Sequence, residues 1–254
     1  MLTRRQLSGI SAREGVALQT IERDYIQTLY LYELYKHNTD FLFKGGTCLR
    51  MGYKLNRYSE DLDFNYNLEP LTGKKILTDT AAKLSDFGIE ATLKVDNEFP
   101  LGFRCKLRYK GPLYVGKELS VGSVKLDISC RKEKVDTTSK MIRPVYDDCP
   151  SYAFKCLTVD HLFTEKIRAL IIRGKPRDLY DVWFFRESAT YDVKLLNEKL
   201  KIYDMRFEEV DIDTIFSKIE EDWEQDIKPL LGFLPDFQTI AREVVKKLKE
   251  IQMV

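Results

Sequence analysis

Histidine is nearly absent from this sequence, and its cysteines show no metal-binding spacing. Of the 254 residues only two are histidines, and neither lies in an H-x-x-x-H or H-E-x-x-H pattern. The five cysteines are odd in number and form no C-x-x-C pair. We therefore expect free thiols in a reducing cytoplasm, and neither a disulfide framework nor a zinc hydrolase.

Long apolar runs and several catalytic signatures are also missing. No run of about 18 apolar residues occurs, so neither a transmembrane helix nor a membrane partner is expected. Residues 1–15 contain arginines but no apolar block, so they are not expected to form a signal peptide. The sequence lacks G-x-x-x-x-G-K-S/T and G-x-S-x-G, which argues against P-loop chemistry and a hydrolase serine.

The net charge gives no preference for an acidic or a basic partner. The 41 basic and 40 acidic residues leave a formal charge of +1, so nucleic-acid binding would have to come from local patches. Such patches are either phosphate contacts or ordinary solvated faces. The basic patches are Arg4/Arg5, Arg104/Lys106/Arg108/Lys110, Arg131/Lys132/Lys134 and Arg168/Arg173/Lys175/Arg177.

The order of residue patterns predicts an α/β (α+β) fold followed by a C-terminal helical part. The apolar fraction of 44% and the charged fraction of 32% are typical of globular proteins. Period-two alternation between Ile89 and Ser129 predicts strands, whereas the chain from Thr158 onward has helical spacing. We place the boundary near residue 155, which gives a first domain of residues 1–155 and a second of residues 156–254.

Several local elements are predicted within these blocks. Thr72 is expected to cap a helix from about Gly73 to Phe87. The polar segment from Arg131 to Tyr152 is predicted to be a connection, with short strand pieces around Met141 to Tyr146. A later helix is predicted from about Ile212 to Trp223.

The stretch from Phe41 to Phe64 carries the strongest chemical signal. Residues two apart in a strand share a face, so Asp61 and Asp63 point the same way. Two carboxylates on one face suit a hard divalent cation, Mg²⁺ or Mn²⁺. The preceding Gly45-Gly46-Thr47 leads into a short helix, where close backbone approach and free N–H groups suit phosphate. The stretch therefore predicts a site for a metal-bound nucleoside triphosphate.

Two residues near this site have two interpretations each. The Thr47 hydroxyl is expected to donate to a phosphate oxygen, to cap the helix, or to do both. Arg57 either contacts a phosphate or forms an ion pair with Glu60. We count Thr47 and Arg57 with Gly45 and Gly46 as candidate nucleotide-binding residues.

Four motifs along the chain match one known family. They are KGGT at Lys44 to Thr47, RYSEDLDF at Arg57 to Phe64, EKIRA at Glu165 to Ala169 and KPRDLYD at Lys175 to Asp181. Together they resemble the AbiEii/AbiGii nucleotidyltransferase toxins, within the DNA polymerase beta-like nucleotidyltransferase superfamily. The resemblance implies a polymerase beta-like core with a mixed sheet, a C-terminal helical bundle, and transfer of a nucleotide from an NTP with release of pyrophosphate.

The resemblance implies a third acid on a neighbouring strand. Asp127 lies on the outward face of a strand predicted from Val121 to Ile128. It would complete the metal set with Asp61 and Asp63 and act as general base for the attacking hydroxyl. The alternative is a surface acid on an edge strand.

The resemblance also implies a catalytic group in the helical part. Lys166 would face the nucleotide and neutralise its triphosphate, although mid-helix lysines are usually solvated. Asp178 and Asp181 share a helix face and would line the same cleft, expected between the two domains. Alternatively, Asp178 stabilises its helix end by pairing with Arg177 or Arg173.

The family resemblance also suggests biological partners. Toxins of this kind belong to type IV toxin–antitoxin pairs, associated with phage defence, and related toxins modify the tRNA acceptor end. We therefore expect a tRNA 3′ end as acceptor, RNA contacts at Arg104/Lys106/Arg108/Lys110 and Arg168 to Arg177, and an antitoxin protein as partner. A protein or small-molecule hydroxyl is the alternative acceptor. A non-catalytic RNA- or partner-binding module is the alternative class, although such a module needs no Asp61/Asp63 pair.

Overall fold

The computed structural model describes residues 1–216 and 219–253, and the chain divides into two compact units. Unit 1 is Met1–Leu157 and unit 2 is Thr158–Val254. The boundary predicted near residue 155 falls inside the last strand of unit 1, which ends at Leu157.

Unit 1 is built on one mixed sheet. The strands found among the described residues are β1 Phe41–Lys44, β2 Asp61–Tyr66, β3 Glu90–Phe99, β4 Gly102–Lys110, β5 Gly122–Ser129, β6 Thr137–Ile142 and β7 Tyr152–Leu157. They form a seven-stranded sheet in the order β3-β4-β5-β2-β1-β7-β6. The pairs β2–β5 and β1–β7 are parallel, and the other neighbours are antiparallel.

Helices cover one face of this sheet. The helices of unit 1 are α1 Arg4–Glu14, α2 Leu18–His37, α3 Gly45–Tyr53 and α4 Pro70–Lys83. Both α2 and α4 contact the sheet, and Lys74 of α4 lies over the Phe103 ring on the buried face. The aromatic side chains of Phe43 and Phe64 stack on this face, with ring centroids 5.3 Å apart. Because side chains alternate along a strand, the polar residues of β2, β4 and β5 lie on the other side. We call that side the charged face.

A buried polar network fixes α3 and the following loop against α2. Asp24 of α2 accepts hydrogen bonds from Arg50 Nε at 2.9 Å and from the Tyr146 hydroxyl at 2.7 Å. The Arg50 guanidinium also lies 3.4 Å from the centre of the Tyr58 ring. Buried charges are tolerated only when they are paired, so this network holds the segment between β1 and β2 in one position.

Unit 2 is helical throughout its described part. Its helices are α5 Val159–Arg173, α6 Pro176–Phe185, α7 Val193–Leu200, α8 Ile219–Ile227 and α9 Phe237–Gln252. Thr158 caps α5 by accepting from the His161 N–H at 3.3 Å, and Gly174 ends the helix with φ of 54°. Helix α6, which begins with Pro176, contacts α5, α8 and α9. The predicted α/β fold with a helical C-terminal part is confirmed.

Two helix predictions were wrong in detail. Glu69, and not Thr72, caps α4, because its carboxylate accepts from the N–H groups of Leu71 and Thr72. The helix also ends earlier than predicted, and a 3₁₀ turn at Leu84–Phe87 continues to Gly88. The predicted helix from Ile212 to Trp223 is interrupted: a 3₁₀ turn covers Ile212–Thr214, and α8 begins at Ile219. Residues 217 and 218 of that prediction lie outside the described residues.

The segment predicted to be a connection between Arg131 and Tyr152 contains β6. The short strand pieces predicted around Met141 to Tyr146 overlap this strand only at Met141 and Ile142, because β6 begins earlier, at Thr137. This strand lies at the edge of the sheet, and its residues are exposed or half-exposed, so it has no apolar alternation to reveal it. The neighbouring β7 has buried Tyr152, Phe154 and Cys156 at period two, which is the alternation typical of a strand with one buried face. None of the described helices combines the length and the apolar character needed to cross a bilayer.

Candidate active site

Strand register brings the predicted carboxylates together on the charged face. In the parallel pair β2–β5, Asp63 lies directly beside Asp127, and Asp61 lies beside Lys125. Strand β5 is flanked by β2 and β4, so the alternative that Asp127 lies on an edge strand is wrong. Directly opposed residues share a face, so all three carboxylates lie on the same side of the sheet.

Basic residues flank the carboxylate pair in the same row. Arg104 of β4 is opposite Asp127, and Lys44 of β1 is opposite Asp63. The row therefore reads Arg104, Asp127, Asp63, Lys44 across four adjacent strands. Lys44 is not among the residues predicted for the site, although its position just before the glycine pair was a signal in the sequence.

The glycine turn between β1 and α3 touches the carboxylates directly. Gly45 has φ of 73°, and a β carbon at this position would lie 2.0 Å from Oδ2 of Asp63. A side chain here would need both a left-handed backbone and space that the Asp63 carboxylate already occupies. Glycine is therefore required for the start of α3 to approach the carboxylate this closely.

The side chains of Thr47 and Arg57 hold the glycine turn in place. Helix α3 begins at Gly45 with Lys44 at its N-cap position, so the interpretation of Thr47 as the helix cap is wrong. The buried Thr47 hydroxyl donates to the main-chain carbonyl of Asp61 at 2.5 Å, which joins α3 to β2. Arg57 is only 2% exposed and donates to the Tyr58 carbonyl at 2.9 Å. Its Nη2 would lie 2.8 Å from a β carbon at Gly46, so the guanidinium packs against the glycine backbone.

Arg104 forms an ion pair with Asp127, the carboxylate that would complete a metal site with Asp61 and Asp63. Its Nε donates to Oδ2 of Asp127 at 2.7 Å. The hydrogen bond and charge of Asp127 raise the pKa of Arg104, and the charges of Asp61 and Asp63 add to the effect.

Among the residues that the structure describes, no three His, Cys, Asp or Glu side chains form a ready-made metal site. The donor set itself suits a hard divalent cation, because all three groups are carboxylates on adjacent strand positions.

The predicted residues of unit 2 form a buried ion-pair cluster of their own. Lys166 of α5 lies 3.2 Å from Asp178 and 2.7 Å from Asp181, both on α6. Both aspartates are fully buried, and the Lys166 side chain is 11% exposed. Arg173 donates to both carboxylate oxygens of Asp178, at 2.6 and 2.8 Å. The alternative interpretation, in which Asp178 pairs with Arg173, is thus confirmed for that pairing, and Lys166 is held in place rather than solvated.

The charge of Asp178 is stabilised by its partners. Burial alone would raise the pKa of this carboxyl, but the charge of Lys166 and the hydrogen bonds from Arg173 outweigh it and lower the pKa to about 2. Leaving either charge of such a pair unpaired in the interior is costly. The cluster therefore joins α5 to α6 at neutral pH.

Replacing Gly45 should show how tightly the turn fits. Gly45→Ala places a methyl group against Asp63 and forces a left-handed alanine, so the free energy of unfolding should fall by about 1–2 kcal/mol or more. Gly9→Ala is the matched control, because Gly9 lies inside α1 with nothing within 4 Å of the added carbon. The control should gain about 0.5–1 kcal/mol. Urea unfolding measures both, and a Gly45→Ala protein as stable as the wild type would contradict the geometry.

Acid should selectively weaken the cluster of unit 2. Because the folded pKa of Asp178 lies below the unfolded value near 3.8, its contribution is present at neutral pH and is lost as pH falls toward 2. That contribution is about 2 kcal/mol, of which about half is gone at pH 3. The stability gap between wild type and Asp178→Asn, measured by urea unfolding, should therefore narrow between pH 5 and pH 3.

An exposed aspartate provides the control for this pH series. Asp213 pairs with Lys249 at 2.7 Å, but both side chains are largely exposed. Asp213→Asn should cost less than about 1 kcal/mol at any pH. If the difference in unfolding free energy between wild type and Asp178→Asn stays constant with pH, then Lys166 and Arg173 do not lower the pKa of Asp178.

Solved structures show where this fold occurs among known proteins. JHP933 from Helicobacter pylori is 21% identical with a TM-score of 0.63, and the match covers 94% of each chain. MenT4, a nucleotidyltransferase toxin from Mycobacterium tuberculosis H37Rv, is 19% identical with a TM-score of 0.73 over 100% of this chain and 91% of that one. At these identities the two likenesses establish the fold.

Sequence comparison identifies the family. No curated protein matches the chain. The family described as "Nucleotidyl transferase AbiEii toxin, Type IV TA system" matches residues 29–243, which include both the carboxylates of unit 1 and the ion-pair cluster of unit 2. The chain therefore belongs to the AbiEii nucleotidyltransferase toxins of type IV toxin–antitoxin systems.

Proposed function

We propose that this nucleotidyltransferase moves a nucleotide from an NTP to the 3′ hydroxyl of a tRNA and releases pyrophosphate, with Mg²⁺ or Mn²⁺ bound. One observation carries the proposal. Asp63 lies beside Asp127 on adjacent parallel strands, Asp61 shares their face, and the Gly45 turn lies against Asp63. The arrangement joins a carboxylate set to a helix N-terminus, which suits a metal-bound triphosphate.

The glycine turn is the proposed phosphate site. The first N–H groups of α3, from Gly45 onward, have no partner within the helix, and the helix dipole favours an anion there. Glycine at positions 45 and 46 lets the Asp63 carboxylate and the Arg57 guanidinium lie directly against the backbone of this turn. Lys44, beside Asp63 in the sheet, adds a positive charge at the same end.

The carboxylates Asp61, Asp63 and Asp127 would hold the metal. When bound, a divalent cation neutralises phosphate charge and orients the triphosphate for attack in line. For Asp127 to join the set, its carboxylate has to exchange Arg104 for the cation, and both side chains are exposed enough to move, at 40% and 56%.

The transfer step follows from these positions. The acceptor hydroxyl oxygen forms a bond to the α-phosphorus, and the bond from that phosphorus to the β-phosphate bridging oxygen breaks. Pyrophosphate leaves with the electron pair. Asp127, whose side chain is 40% exposed, is the proposed base that takes the hydroxyl proton.

Lys166, a residue of unit 2, is proposed to neutralise charge on the triphosphate. This proposal rests on the family motif that contains Lys166. Its ammonium group is fixed between Asp178 and Asp181. We propose that these two aspartates are positioning residues, which set the orientation of Lys166 rather than touch the substrate. Fixed placement of a cation is the kind of preorganisation that stabilises charge developing on a leaving pyrophosphate.

The family places the protein with a cognate antitoxin, and an NTP is its substrate class. We further propose that the toxin acts in the cytoplasm, where tRNA and NTPs are present, and serves phage defence. The free thiols of all five cysteines fit a reducing compartment.

A labelling experiment tests the proposal. The protein is incubated with each labelled NTP, Mg²⁺ or Mn²⁺, and total tRNA, and the label is followed on RNA and on protein. Asp63→Asn removes one metal ligand and should reduce RNA labelling to a few per cent or less of wild type. Asp79→Asn, an exposed aspartate of α4, is the control and should retain full labelling.

The outcomes separate the alternatives. Label on protein, or on an added small hydroxyl compound, would replace tRNA as acceptor. Absence of label with every NTP, together with undiminished toxicity of Asp61→Ala, would contradict catalysis and favour a binding module. Labelling by Asp63→Asn at more than a few per cent of wild type would show that the metal assignment is wrong.

A further inference from the structure

Three lysines form a continuous row on the charged face. The row lies two residues along the strands from the Asp63–Asp127 pair. Lys94 of β3 is opposite Lys106 of β4, and Lys106 is opposite Lys125 of β5. Lys125 in turn lies beside Asp61 of β2. Neighbouring strands are about 4.8 Å apart, so the row extends over about 10 Å and ends at the carboxylates. We call Lys94, Lys106 and Lys125 the lysine row.

The lysine row is exposed and unpaired, unlike its neighbours. Within the described residues, none of its three side chains forms an ion pair or a side-chain hydrogen bond. The adjacent basic residues of β4 are neutralised: Arg104 pairs with Asp127, Arg108 with Glu118, and Lys110 with Glu90. Like charges directly opposite one another destabilise a sheet. A row that repels itself at two successive strand pairs therefore points to an external anion.

The position of the row separates it from the phosphate site of the NTP. The glycine turn lies on the β1 side of the carboxylates, where Thr47 is joined to Asp61. The lysine row lies on the opposite side, toward β5, β4 and β3. The α-phosphate has to sit at the carboxylates, so an acceptor hydroxyl that attacks in line approaches from the side away from the leaving pyrophosphate.

We propose that the lysine row binds the phosphodiester backbone of the RNA acceptor and guides its 3′ end across β3, β4 and β5 to Asp61. This inference rests on the proposed transfer to RNA and assigns the residues that hold that substrate. A line of separate charges suits an extended polyanion, because each ammonium neutralises one phosphate without reading the base. The lysine row therefore contributes to the affinity for RNA, and selection of a particular RNA sequence has to come from other residues.

The salt dependence of RNA binding tests the row directly. Binding of 5′-labelled bulk tRNA is measured by anisotropy at several salt concentrations, without NTP and without divalent cation. Each of Lys94→Gln, Lys106→Gln and Lys125→Gln should reduce the slope of log K against log salt by about 0.7–0.9 in magnitude, and the triple variant by about 2–3. Lys106→Arg keeps the charge and should keep the wild-type slope.

Two further measurements distinguish binding from folding and from nucleotide binding. Lys106→Gln relieves repulsion from both neighbours, so its melting temperature should equal or exceed that of wild type. The KM for NTP should not change, because the triphosphate lies at the glycine turn. Matched controls are Lys75→Gln and Lys83→Gln, exposed lysines of α4 on the helix-covered side of the sheet.

Several results would overturn the inference. One is an unchanged slope of log K against log salt in the triple variant, and another is an equal loss of tRNA affinity in the α4 controls. A raised KM for NTP with unchanged tRNA binding would assign the lysine row to the triphosphate. Displacement of tRNA by polyglutamate at equal charge concentration would assign it to an acidic protein partner. Since the assay contains neither NTP nor metal, its result stands apart from any failure of Asp63→Asn to stop transfer.

Discussion

The approach of the Gly45 backbone to the Asp63 carboxylate is the contact on which the rest of the site depends. A β carbon at Gly45 would lie 2.0 Å from Oδ2 of Asp63, so the N-terminus of α3 reaches the carboxylates of the charged face only because residue 45 is glycine. The same contact places a positive helix end beside negative carboxylates. In the proposed function a phosphate bridged to a cation would contact both the turn and the strand pair.

The sheet arranges charge around this contact in rows. Parallel pairing of β2 with β5 sets Asp63 beside Asp127, and Arg104 and Lys44 close the row at either end. The next row ends at Asp61 after three lysines. Acceptor, metal and nucleotide would therefore follow one another across the sheet. The covered face, with its aromatic stack and the Asp24 network, keeps the strands in the register that this order requires.

Sequence periodicity predicted faces but could not predict partners. Alternation showed that Asp61 and Asp63 share a side, and that Asp127 points outward from its strand. It could not show that β5 pairs with β2 in parallel, because that register depends on contacts distant in sequence. Nor could it show that Lys166 is held by two buried aspartates, or that β6 begins at Thr137, since an exposed edge strand carries no apolar pattern. The family motifs contain Asp61 and Asp63, and the structure shows which residues lie beside them.

Anomalous diffraction from crystals grown with Mn²⁺ and a non-hydrolysable NTP analogue tests the central claim most directly. The account predicts a manganese peak about 2.1 Å from carboxylate oxygens of Asp61 and Asp63, with the triphosphate at the N-terminus of α3 and Arg104 displaced from Asp127. A manganese peak bound elsewhere, or a triphosphate away from the Gly45 turn with the Arg104–Asp127 pair intact, would contradict it.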